Sequence, residues 1–475
     1  MSLYLLLFPV AISYFILVRT LRYRRISQLQ AQHGADASQF TDLNYKDAQK
    51  IVGQMGLYEF PWIFLAGKDF AFLRVCQFLV PQERISSCTS RPELTQLQAF
   101  AIPGISKVSV AAKEMLNQTG KRYADTTVLV GEFLVNDIDS ERACIAINRM
   151  NWIHSRYGSK IKMDQMVYTL CLLTCEALQW IDRYDWRPTT GLEKHASWVF
   201  WDEVGRRMGL KGVPSSFEAC AEFIEEFEKR NMEPSDDNAV IAKGVFALYA
   251  STIPAFLTPV VHAVLIAFMD SRLSSAFKIS APPTNAVRSL LGFLLDIRKY
   301  FVRYFMLPRY STLQVFGEEN AAGYRPMMFW EIEPWYVASS KDCSWLHRAY
   351  TGFFGLPLAG DSKYRPEGYK LQEIGPRHLE GKGGDEVLSF VQKGGARSFT
   401  TFGQFDGAIY TSGGCPMVSE VGTTKGGCPL GFEESPKTVP ANHGSSDLPD
   451  QPKIYSSASQ VAHAITAALP MVTEL

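Results

Sequence analysis

The stretch SERACIAINRMNWIHSRYGSK, residues 140–160, sets the reading of the chain. Ala143, Ile147, Met150 and His154 stand at i, i+4, i+7 and i+11, one stripe at the helical period. Asp139 and Ser140 are N-cap residues, and Gly158 supplies a stop. The spacing therefore predicts an amphipathic helix whose buried face ends in a histidine. A neutral imidazole there needs a hydrogen bond or a metal. On the residues alone both stay open: a satisfied core histidine and a ligand.

The same period recurs on either side. Residues 121–137 and Asp164 to Tyr184 read as helices, the second sparsely charged and so buried on most sides. Ser106 to Asn117 reads as one amphipathic helix, and residues 191–210 and 215–231 as two more. The uncharged run Gly244 to Met269 is divided by Pro254 and Pro259, which predicts two packed helices rather than a span. Residues 285–306 form a strong amphipathic helix with a basic face of Arg288, Arg298, Lys299 and Arg303. Residues 57–74 predict two short helices, and Asp42 or Asn44 caps a polar neck over 26–56. Strand alternation is nearly absent.

At the N-terminus, residues 2–18 carry no charge and are followed by Arg19, Arg22, Arg24 and Arg25. A basic cluster after the apolar run, with no cleavage site, is the pattern of an uncleaved anchor whose basic side stays in the cytosol. The fold expected is all-α. It comprises an N-terminal transmembrane anchor with its basic flank over 1–25, a large helical domain over 26–320, a loop-rich extension over 321–432, and a largely disordered tail over 433–475.

Composition narrows the function classes. The 475 residues are 47% hydrophobic and 20% charged with a formal net charge of zero, which gives no electrostatic case for nucleic acid. The nine cysteines form no CxxC, so neither a disulfide framework nor a zinc site is read. Cys171 and Cys175 are expected as small buried side chains. GxGxxG, P-loop, GxSxG and HExxH patterns are all absent. No two of the eight histidines stand at i, i+3 or i+4, and only His154, His195 and His262 lie in apolar helical context. One histidine is nevertheless enough for haem, whose macrocycle supplies the other four nitrogens. Arg122 and Thr126 share a helix face at i, i+4; Arg122 would pair with a carboxylate, either a surface acid or a haem propionate.

Four short motifs, EFPWIFL at 59–65, KRYADT at 121–126, WIHSRYG at 152–158 and EGKGG at 380–384, together resemble the fungal branch of the ER-bound oxygenase and rubber oxygenase family. CPLGF at 428–432 looks like a fragment of the fungal tail. The resemblance implies a globin-like helical core and one haem b. It implies that His154 is the iron ligand and that Arg122 and Thr126 form the cofactor-binding and catalytic pair beside it. It also implies an oxygenase that cleaves a C=C bond in a lipophilic, prenylated or terpenoid substrate with O2, held at the endoplasmic reticulum membrane with its catalytic domain facing the cytosol. No protein partner is expected.

Two departures stand out. Asp125 occupies the place of a lysine in rubber oxygenases, and AIPGISKVS lacks their upstream glutamate. Glu114 is the nearest carboxylate and is left unassigned. The competing expectations are a haem oxidase, hydroxylase or dehydrogenase that cleaves no carbon–carbon bond, and a non-catalytic helical protein in which His154 is core. His195 and His262 are candidates for the distal side. Cys415-Pro416 and Cys428-Pro429 are thiolate candidates in a glycine-rich setting.

Overall fold

The computed structural model describes residues 2–34, 42–61, 98–279, 285–328, 333–338, 345–392, 397–400 and 402–406. They belong to one compact unit, Met1–Val418; the second unit, Ser419–Leu475, lies outside them. So do the expectations for residues 62–74, for the Cys-Pro pairs, for CPLGF and for the tail.

Among the described residues the fold is all-α apart from one antiparallel hairpin, Arg397–Thr400 with Gly403–Asp406. The helices in order are α1 Ser2–His33, α2 Tyr45–Gln54, α3 Pro103–Ala111, α4 Glu114–Asn117, α5 Thr119–Val135, α6 Glu141–Ser155 and α7 Met163–Tyr184. They continue with α8 Gly191–Arg207, α9 Phe217–Asn231, α10 Asp236–Ala250, α11 Thr258–Phe268, α12 Ser271–Ala276, α13 Asn285–Phe305, α14 Trp345–Phe354 and α15 Gly384–Gln392. α5 packs on α6, α2 on α8, and α7 on both α8 and α9.

Helix starts follow the cap residues. Asn44 accepts from the backbone of Lys46 and Asp47, both at 3.0 Å, and opens α2. Ser140 accepts from Ala143 and opens α6, while Thr190 and Glu193 form a reciprocal capping box on α8. Asp139, the other expected cap of α6, instead holds Lys46 and Arg207. The charge-free run is two helices, α10 and α11, as its prolines predict. The expected single helix over Ser106 to Asn117 is broken: Lys113 sits at φ 59°, and α3 and α4 separate there. Cys171 and Cys175 are buried, free thiols.

α1 is continuous from Ser2 to His33 through Pro9, without a break at 25/26. Among the described residues no helix is long and apolar enough to cross a membrane. Two of the four arginines reach other segments of the chain. Arg22 donates to Met306 O at 2.7 Å and lies over Trp186, and Arg25 pairs with Glu59 at 3.1 Å. Arg19 and Arg24 are exposed.

The segment after α13 closes over the helical core. Glu132 of α5, wholly buried, takes Arg142, Arg325 at 3.1 Å and Tyr369. Arg149 of α6, also wholly buried, donates to the carbonyls of Ile374 at 2.6 Å, Leu379 at 3.1 Å and Lys382 at 2.5 Å.

One buried acid gives the fold a pH dependence. Burial raises Glu176 from 4.5 to about 7, against a hydrogen bond from Gln98 at 3.2 Å and with help from Glu228. The folded state keeps a proton that the unfolded chain releases near 4.5. The stability from this group is therefore complete below pH 4.5 and is lost as pH rises through about 7. Glu176→Gln is expected to flatten the denaturant midpoint between pH 5 and 8, and to be more stable than the parent at pH 8 by about 2 kcal/mol.

Candidate functional site

α5 and α6 run side by side and bring Arg122, Thr126 and His154 to one cavity of about 270 Å³. Arg122 and Thr126 meet one turn apart on α5. The Arg122 guanidinium donates to Thr126 Oγ1, and that hydroxyl donates to Arg122 O at 3.0 Å. His154 is the penultimate residue of α6 and faces the same space. The walls are apolar, with Leu129, Val130, Phe133, Met150, Ile153 and Trp201 prominent. Gly375 and Pro376 close one side from the C-terminal segment.

The electrostatics select the state of the imidazole. Burial, reinforced by the Arg122 cation, pulls His154 from 6.5 down to about 4. The ring is therefore neutral at physiological pH, the form in which a nitrogen lone pair can ligate. Its Nδ1 is buried with no hydrogen-bond partner among the described residues. Such an orphaned polar atom is rare in a native interior and calls for a reason. Among the described residues, no three His, Cys, Asp or Glu side chains gather as a metal site.

Two carboxylates to which the sequence gives no role, Glu114 and Asp125, also line the cavity. Glu114 accepts from the backbone of Arg377 at 3.1 Å. Asp125 is held by Lys121 at 2.9 Å and by the Tyr336 hydroxyl at 2.6 Å, all three buried. Burial pushes Asp125 above the usual carboxylate range, with Lys121 and Tyr336 opposing. The Lys121 and Asp125 spacing of i, i+4 is visible in the sequence, but on a helix it reads as a surface pair. The contact with Tyr336 has no local signal. His195 stacks obliquely on Trp198 and His262 on Phe246; neither lines the cavity.

Three of the four short motifs meet here. Lys121 of KRYADT donates to Gly375 O at 3.0 Å and approaches Glu380 of EGKGG. Gly383 of EGKGG, at φ +70°, presses on Trp152 of WIHSRYG; a Cβ at 383 would stand 2.2 Å from the indole. That ring cannot step aside. Arg149 and Arg156 approach it within 4.6 and 4.4 Å, and its Nε1 donates to Glu386 at 2.8 Å. Gly383→Ala is expected to cost about 3 kcal/mol, left-handed strain plus the clash. Gly381, at φ +69° with open space around it, pays strain alone, so Gly381→Ala is expected to cost about 1 kcal/mol in the same denaturation series.

The chain is similar to three fungal proteins. It is 28% identical over 405 residues to the ER-bound oxygenase mpaB' of Penicillium brevicompactum, covering 80% of this chain and 90% of that protein. It is 26% identical over 403 residues to the ER-bound oxygenase mpaB of the same species, with the same coverage. It is 27% identical over 282 residues to the ER-bound oxygenase mpaB of Penicillium roqueforti (strain FM164), covering 56% of this chain and 87% of that protein. No family model matches the chain. The similarities support an mpaB-like family, as the four motifs implied.

Proposed function

With an mpaB-like similarity as premise, we propose that this chain is a haem-dependent oxygenase of fungal secondary metabolism that cleaves a C=C bond in a lipophilic, prenylated or terpenoid substrate with O2. The observation that carries the reading is the neutral His154 imidazole, with its unsatisfied nitrogen, at an apolar cavity beside a cation and a hydroxyl.

The residues present fit haem b. His154 would ligate the iron. Arg122 would pair with a propionate. The aliphatic and aromatic walls suit the macrocycle and a lipophilic substrate. The bound haem would supply dioxygen binding and activation, which protein side chains lack. The chain's own groups do the rest. Thr126, fixed by its two hydrogen bonds to Arg122, holds the guanidinium in place. Leu129, Phe133 and Ile153 exclude water and orient an apolar chain. Asp125 and Glu114 are the carboxylates placed to accept or return a proton. In this reading residues 26–320 form a globin-like haem domain, the following segment closes its cavity, and the N-terminal helix holds the protein at the endoplasmic reticulum membrane with the catalytic part in the cytosol.

Oxygen uptake measured together with product mass on a prenylated test substrate decides the reaction. Cleavage yields a shortened chain ending in a carbonyl. Uptake with a product of undiminished carbon count selects the non-cleaving oxidase or hydroxylase. A folded protein without haem returns His154 to the role of a core residue.

A further inference from the structure

α13 turns basic residues toward neighbouring helices. Arg298 donates to Tyr184 O at 3.5 Å and Lys299 to Arg183 O at 3.4 Å, both carbonyls at the C-terminal end of α7. Arg288 donates to Met269 O just past α11. These cations sit where a helix end concentrates negative charge. They fix the rotation of α13 about its axis, and Leu291 and Leu295 are buried with them.

The opposite face is then forced outward. Leu290, Phe293, Ile297, Tyr300 and Tyr304 lie at i, i+3, i+7, i+10 and i+14, and all are exposed, Phe293 to 63%. A stripe of this length runs for about 21 Å along the helix. It is continuous with a second exposed apolar surface: Tyr14 donates to Phe305 O at 2.7 Å, and Phe15 meets the Phe305 ring edge-on. From Phe8 to Leu17 most large apolar side chains of α1 are exposed too. Exposed Arg19, Arg24 and Arg309 stand at the margin.

We propose that the Leu290–Tyr304 stripe of α13 lies in the headgroup–acyl boundary of an anionic bilayer beside α1, giving the protein a second membrane contact. An in-plane membrane helix has this make-up: one apolar face, tyrosines at headgroup level and arginines at the rim. The 3-4-3-4 spacing is also that of a coiled-coil seam. A seam, however, favours Leu, Ile and Val, whereas three of these five residues are Phe or Tyr. The arginine margin gives the surface a charge complementary to anionic lipid. The proposal rests on membrane attachment through α1, and it adds that the attached protein is held at two places and so at a fixed orientation.

The test uses the full chain with vesicles of phosphatidylcholine and phosphatidylserine whose acyl chains carry a photoactivatable diazirine. Tryptic mapping is expected to find lipid adducts on 289–298 as well as on the N-terminal peptide. Phe293→Glu/Ile297→Glu, two changes at exposed positions, is expected to remove the first set and leave the second. Adducts confined to the N-terminal peptide overturn the second contact and keep the anchor. Adducts on neither peptide overturn the membrane reading itself. Cross-links joining 289–298 to a second copy, or to another segment of the chain, overturn the lipid as occupant.

Discussion

His154→Ala is expected to yield a folded protein with no Soret band and no oxygen uptake above background. The parent, grown with a haem supply, is expected to show the band before and after dithionite. The separation of folding from function follows from the environment of the ring. No described residue hydrogen-bonds Nδ1, so truncation leaves no donor or acceptor newly stranded. The ring borders open space rather than a tightly packed neighbour, and the stability change is expected within about 1 kcal/mol. On the proposed reading, by contrast, loss of the ring would remove the protein ligand of the iron. A second variant protects the argument. Arg122→Ala is expected to keep the Soret band at reduced occupancy, since it would remove the proposed propionate partner and not the proposed ligand. Equal loss of haem in both variants would mean that the site had collapsed. A His154→Ala protein with an unchanged Soret band would move the ligand elsewhere.

Arg149→Met is expected to destabilise the protein by about 3–5 kcal/mol, read as a lower denaturant midpoint. The guanidinium is wholly buried and spans the carbonyls of Ile374, Leu379 and Lys382. Removing it strands those acceptors away from water, at about 1–3 kcal/mol for each, with some relief by relaxation. Arg149→Lys is expected to recover little of the loss, because an ammonium is a point donor and cannot hold a fork of three carbonyls. Limited proteolysis gives the local readout: cleavage within 371–383 appears in Arg149→Met under conditions where the parent is intact. Since Gly375 and Pro376 line the cavity, oxygen uptake should fall with the same change. An unchanged midpoint would show that the segment is held by its apolar contacts alone.

Periodicity was a good guide to individual helices and a poor one to what they face. The stripe ending at His154, the division of the charge-free run and the capping of α2 by Asn44 were all readable, because each depends on neighbours within about one turn. The break at Lys113 was not, since a lysine carries no signal for a left-handed backbone. The basic face of α13 invites a solvent-facing reading. It faces neighbouring helices instead, because arginine and lysine heads reach the free carbonyls at those helices' ends. The site divides the same way. His154, Arg122 and Thr126 were found from a helix face and a resemblance, and the structure brings them to one cavity. Asp125 and Glu114 were visible but without a role, because their contacts with Tyr336 and Arg377, like those of Arg149 with its carbonyls, join parts far apart in the chain, which no local pattern encodes.

The partners of Arg149 stand 225 and 233 residues downstream of it. On the ribosome α5 and α6 therefore emerge long before the segment that covers them. At about 5–20 residues per second, the gap is on the order of ten to fifty seconds. During that interval α1 has already left the exit tunnel, while the wall made by Gly375 and Pro376 does not yet exist. The nascent chain thus passes through a period in which the pocket is a half-built, open groove. An apolar cofactor would have its easiest entry then, before synthesis shuts the way in behind it.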